Sequence, residues 1–143
     1  MNVARESIYS ALWALVSGIP GLVTASRRLV HWSDVPPEAQ PALFQAQKDQ
    51  AAEPHLGLPT KWRLRAELFL YVNSGADMTL VPATQLNNFV DAIDAALAPP
   101  IGQVAQTLGG LVQYCRISGE VLTDEGVLGP QAVAIIPIEI LGV

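Results

Sequence analysis

A thiol and an imidazole are the two residue types from which this sequence could build a nucleophile, with a histidine drawing the proton off Cys115. Cys115 is the one cysteine, and His31 and His55 are the two histidines. All three stand far apart along the chain. Cys115 also alternates with Gln113 and Ile117 in a strand-like run, the setting of a small buried hydrophobe. Asp91 and Asp94 are three apart, one helical turn, so both carboxylates could reach one cation or share a proton. No third oxygen ligand follows at useful spacing, and a solvated acidic helix face accounts for the pair. Gly109–Gly110 lacks the lysine and the glycine spacing of a phosphate loop, which leaves backbone freedom where a strand begins. "TDEG" from Thr123 lacks the pattern of a calcium loop and reads as a hairpin turn. The chain is therefore expected to be no enzyme and to hold no cofactor or metal.

Helices and strands must position these groups. From Val3 to Ser17 the apolar residues Ile8, Ala11, Leu12, Leu15 and Val16 fall on one helical stripe, with Asn2 as a cap and Gly18 and Pro20 as the stop. "TASRRLVHW" and, after Pro36–Pro37, "PALFQAQKDQ" read as two strands joined by a proline loop. Ala51 to Thr60, with Pro54, Gly57 and Pro59, reads as a loop. In "KWRLRAELFLYV" Trp62, Leu64, Ala66, Leu68, Leu70 and Val72 make one apolar face. Arg63, Arg65 and Glu67 lie opposite, followed by Phe69 and Tyr71. Pro82 opens a second helix with the stripe Leu86, Phe89, Val90, Ile93 and Leu97, stopped at Pro99–Pro100. A strand from Leu111 to Leu122 and a closing strand from Ala132 complete the order α-β-β-β-α-β-β. That order predicts an α+β fold, a mostly antiparallel sheet of about five strands with two helices on one face. Trp13 and Trp62 are expected in its core.

The last strand, "AVAIIPIEILGV", is apolar on both faces. Ala132, Ala134, Ile136, Ile138 and Ile140 point one way; Val133, Ile135, Pro137, Glu139 and Leu141 point the other. Two helices cover one side of a sheet, so the second side needs another cover. Pro137, unable to donate a ladder hydrogen bond, suits an edge strand. A candidate subunit interface follows: Arg63, Arg65, Glu67, Phe69, Tyr71, Arg116, Ile135, Pro137 and Glu139, with Arg63, Arg65 or Arg116 as partners for the Glu139 carboxylate.

The 143 residues suit a single domain spanning 1–143. Half are hydrophobic and 15% are charged, below the roughly 25% of ordinary soluble domains, which favours burial against partners. A net charge of −5 with scattered cations argues against specific nucleic-acid binding. A lone cysteine excludes an internal disulfide and fits a reducing compartment, the cytoplasm. The apolar run "IYSALWALVSGIPGLV" lacks a basic start and cleavage signature and is too short for a bilayer span, so no membrane association is expected.

The segments "PALFQAQKD", "KWRLRAELFLYV", "QLNNFVDAIDAAL", "QTLGGLVQYCRISGEV" and "GPQAVAIIPIEIL", in that order across nearly the whole chain, resemble the tail terminator proteins of long-tailed bacteriophages, also termed minor tail or tail completion proteins. The resemblance implies a structural virion protein made in the host bacterial cytoplasm and found in the virion at the tail–head junction. It would form a homo-oligomeric ring, usually a hexamer, on the head-proximal end of the tail tube, ending polymerisation and meeting a head completion or connector protein. DNA would pass through the ring. A head completion or tail tube subunit is the neighbouring alternative, and a small ligand- or metal-binding α+β domain the more distant one. No catalytic motif travels with the resemblance.

Overall fold

The computed structural model describes residues 4–75, 79–126 and 129–143. Helix α1 (Arg5–Val16) buries Ile8, Tyr9, Leu12 and Val16, the four-residue repeat of one helical face. Its N-cap is Ala4, which has no side-chain oxygen to offer; Asn2, expected as the cap, lies outside the described residues. Strand β1 (Thr24–Ser26) runs parallel to β2 (Ala42–His55), which turns back as antiparallel β3 (Leu58–Asn73). Helix α2 (Pro82–Ala96) follows, then β4 (Val112–Ile117), β5 (Leu122–Glu125) and β6 (Gln131–Gly142). The fold is α+β, with six strands in the order β1-β2-β3-β6-β4 and β5 also pairing with β6.

β3 and β6 form the centre, and parity decides what each face does. Leu64, Ala66, Leu68, Leu70 and Val72 of β3 and Ala132, Ala134, Ile136, Ile138 and Ile140 of β6 are buried under both helices in the main core. α2 adds Leu86, Phe89 and Ile93 from its predicted stripe, and Trp13 and Trp62 pack at the margin. Gln45, the rare polar member of this layer, donates from Nε2 to the Tyr9 carbonyl at 3.0 Å and so ties β2 to α1.

Five sequence expectations change. The stretch from Thr24 to Trp32 is strand only through Ser26; residues 27–41 instead cross the outer face with short 3-10 turns at Trp32–Asp34 and Pro37–Ala39. Their side chains build a second core, in which Val35, Ala42, Phe44, Tyr71 and Val133 are buried, flanked by Val30, Trp32, Phe69 and Ile135. Residues 51–60 are no loop but the outer half of a long β2–β3 hairpin. Prolines are tolerated there because β1 pairs only Ala42–Phe44 and β6 reaches β3 only from Arg63, so both margins of this arm lack a ladder to break.

The expected Leu111–Leu122 strand divides into β4 and β5, and Asp124 and Glu125 of the supposed "TDEG" turn belong to β5. Pro137 is central, not on an edge: β6 pairs with β3 on one side and with β4 and β5 on the other. The division and the proline explain each other. The Pro137 carbonyl accepts from the Ser118 amide at 3.1 Å, and in a strand N and C=O of one residue point to the same side. The missing N–H therefore faces the side of Ser118, just past the end of β4 and before β5 begins, and costs the sheet at most one bond at a break in the ladder.

Candidate functional site

All nine candidate interface residues except Arg116 lie on β3 and β6 and, with Arg116 of β4, on the face away from the helices. The structure separates them into two groups. Phe69, Tyr71 and Ile135 fall in or beside the second core. Tyr71 is 3% exposed, its ring packs 5.5 Å from that of Phe44, and its hydroxyl donates to the Val30 carbonyl at 2.8 Å. This end of the face is thus sealed by the chain's own 27–41 segment.

The other end is a lattice of charges centred on Glu139. Its Oε1 accepts from the Tyr114 hydroxyl at 2.6 Å, from Arg63 Nη1 at 3.1 Å and from Arg116 Nη2 at 3.4 Å. The Tyr114 hydrogen bond, aided by Arg63 and Arg116, holds the Glu139 carboxyl below the usual carboxylate range against the opposing effect of desolvation. Arg63 also reaches Glu53 in the arm, with Nη2 3.0 Å from Oε1, and the Arg116 guanidinium lies 4.1 Å from the Tyr114 ring centroid. Lys48 pairs with Glu67 at 3.2 Å and Arg65 with Asp49 at 3.8 Å. Arg65 stands directly across from Glu139 in the ladder, yet its ion pair is with Asp49.

Sequence reasoning paired Glu139 with arginines but missed Tyr114, Glu53, Lys48 and Asp49. The register of the β2–β3 hairpin shifts between Gln47 and Gln50, which changes the parity, so that Ala51 and Glu53 come to share the outer face with Arg63. A hairpin centred on Leu56–Gly57 would have been the signal. The lattice has a dimple of about 70 Å³ beside Lys48, Arg65, Pro137 and Glu139, well below the roughly 300 Å³ at which small-molecule sites begin.

The groups with chemical potential do not meet. Cys115 is buried in the main core, where desolvation pushes its thiol up to about 12, so almost none is thiolate near neutrality. His31 sits in the covering segment with Nδ1 2.7 Å from the Ser33 hydroxyl, and His55 is exposed at the end of the arm. Asp91 and Asp94 are exposed on α2, and among the described residues no cluster of three or more His, Cys, Asp or Glu could hold a metal ion. Gly109 and Gly110 carry φ of +73° and +92° with open space around them, the conformational freedom expected where the chain turns into β4. No helix among the described residues is long and apolar enough to cross a membrane.

No family model and no curated protein matches the chain. Solved structures do, with 29 matching chains. One, a protein whose name states no function, superposes at a TM-score of 0.54 and 16% identity over 99% of this chain and 97% of its own length. At that identity the likeness is one of fold alone.

The tip of the β2–β3 arm is left uncovered by the chain's own packing. Residues 47–59 are exposed but for a half-buried Glu53, and the tip carries Leu56 and Leu58, which are 103% and 67% accessible. An open groove lined by His55, Leu58, Pro59, Lys61 and Val143 runs from the tip toward the C-terminal residue. Ile101 and Val104, both fully exposed, sit in the segment between α2 and β4.

Proposed function

We propose that the protein is a structural virion component, a tail terminator that assembles as a ring on the head-proximal end of a phage tail tube, halts tube growth and meets the head completion or connector protein. The observation that carries this reading is the arm. Ordering a two-stranded hairpin costs backbone entropy, and an isolated hairpin is marginal in water; the ion pairs of Lys48, Asp49 and Glu53 hold its inner part, and a partner covering Leu56 and Leu58 would stabilise the tip. A projecting arm with an exposed apolar tip suits stacking on the rim of another protein ring. The resemblance of "KWRLRAELFLYV" and "GPQAVAIIPIEIL" to tail terminators names the partner class, the tail tube.

The arm would also serve a tail tube subunit, which stacks on copies of itself. Tail length separates the two. Phage particles made without this protein should carry tails of uncontrolled length and unjoined heads. Particles lacking tails altogether would favour the tube subunit, and normal joined particles would overturn both readings.

A further inference from the structure

The lysines and arginines are unevenly placed: all but Arg116 lie within the first 65 residues, and from Ile117 to Val143 the chain has Glu120, Asp124, Glu125 and Glu139 and no cation. The fold turns this sequence bias into a difference between the two edges of the sheet. β1 pairs only with β2 and β5 only with β6, so both present open outer margins. They also stand at the same height. Thr24 faces Ala42, Ala42 faces Tyr71, Tyr71 faces Val133 and Val133 faces Asp124, a single row across five strands. Arg27 and Arg28 follow β1 directly; Arg27 is held by Glu6 of α1, and Arg28 is exposed. Glu120 and Glu125, exposed, bracket β5.

We propose that copies of this chain join head to tail through these opposite edges, the Arg27–Arg28 corner after β1 of one copy against the Glu120–Glu125 margin of β5 in the next. Three physical points support it. The margins are unlike, and contact between unlike patches is heterologous, the kind that builds rings or filaments. Equal height on the sheet lets one patch meet the other with little rise, a condition that a closed ring requires. Opposite charge selects this contact against the general repulsion of chains at −5 each and acts only at short range, because the Debye length is about 8 Å at physiological salt. Short charged edge strands also guard monomers against aggregation, but guarding works by like charge on both margins, and here the signs differ. The outer face offers copies less: its apolar end is covered by residues 27–41 and its charges are paired within the chain.

The proposal rests on the self-association in the terminator reading and refines where it happens. Sedimentation velocity of the full chain at about 50 mM salt, alone and with tail tubes, tests it on Arg28→Glu, Glu125→Lys and the chain carrying both. These surface changes leave thermal unfolding near wild type. Each single reversal should weaken self-association at least about tenfold, and the combined variant should regain most of it. If both single variants assemble like wild type, or the combined one is as weak as the worse single, the edge contact is wrong while the ring stands. If wild type stays monomeric in both conditions, this contact and the ring reading fall together.

Discussion

The outer face of the sheet is two regions made by the same strands. Around Phe44, Tyr71 and Val133 the side chains are apolar, and the chain folds its own 27–41 segment over them. One half-strand away, around Arg63, Arg116 and Glu139, they are charged, and they satisfy one another with no cover. The first region gains from excluding water and the second from holding charges in pairs at its margin. The comparison teaches that a closing strand apolar on both faces is no direct sign of a subunit contact. Most of its second face is used at home, and what the chain leaves uncovered is the tip of the arm and the sheet edges.

The largest expected effect sharpens the contrast between the two faces of β6. Ile136→Ala, in the main core, should cost about 2–5 kcal/mol in chemical denaturation, whereas Ile135→Ala, half-buried on the outer face, should cost less than half as much. Equal losses would mean that the outer cover packs as tightly as the helices. Next comes the tie between cover and sheet. Tyr71→Phe removes the donor to the Val30 carbonyl and should cost about 1–2 kcal/mol; an unchanged denaturation midpoint would break the account of the second core.

The lattice should respond to acid. Glu139 is held below its ordinary carboxyl value, so it contributes stability above that value and loses the contribution as pH falls through the ordinary value and then the folded one. Glu139→Gln should therefore flatten the acid limb of the stability–pH curve, and an unchanged limb would show that the Tyr114–Arg63–Arg116 cluster does not matter to folding. The smallest expected effect is on DNA. With −5 per chain and five of the eight cations already paired with acids of the lattice or α1, duplex binding at physiological salt should be no tighter than about 10⁻⁶ M; a tighter, salt-sensitive complex seen by fluorescence anisotropy would contradict it.

What could be read from the sequence was whatever obeyed a simple period. The Leu64-to-Val72 face, the Leu86–Phe89–Ile93 stripe and the helix-facing residues of β6 repeat at the two or 3.6 residues that secondary structure imposes, and each is buried as its pattern requires. The arm did not show itself because proline and glycine between Ala51 and Thr60 speak for a loop wherever a strand has two neighbours, and only the topology reveals that this hairpin has none. The second core was hidden because residues 27–41 carry no period at all. Pro137 misled for a related reason: its missing donor needs a gap in the adjoining ladder, and a gap between β4 and β5 inside the sheet serves as well as an edge. Of the candidate site, the face was legible from parity, but the partners of Arg63 and Glu67 were not, since a bulge after Gln47 resets parity and leaves no mark in composition.

The central claim is that the protein acts by sitting at one end of a polymer. Gold-labelled protein mixed with purified tail tubes and viewed by negative-stain electron microscopy tests this most directly. The account predicts label at a single end of each tube and no further growth there when tube subunits are added, and Leu56→Asp in the arm should abolish that labelling without unfolding the chain. Label along the tube walls, or ends left bare by a folded wild-type protein, would contradict it.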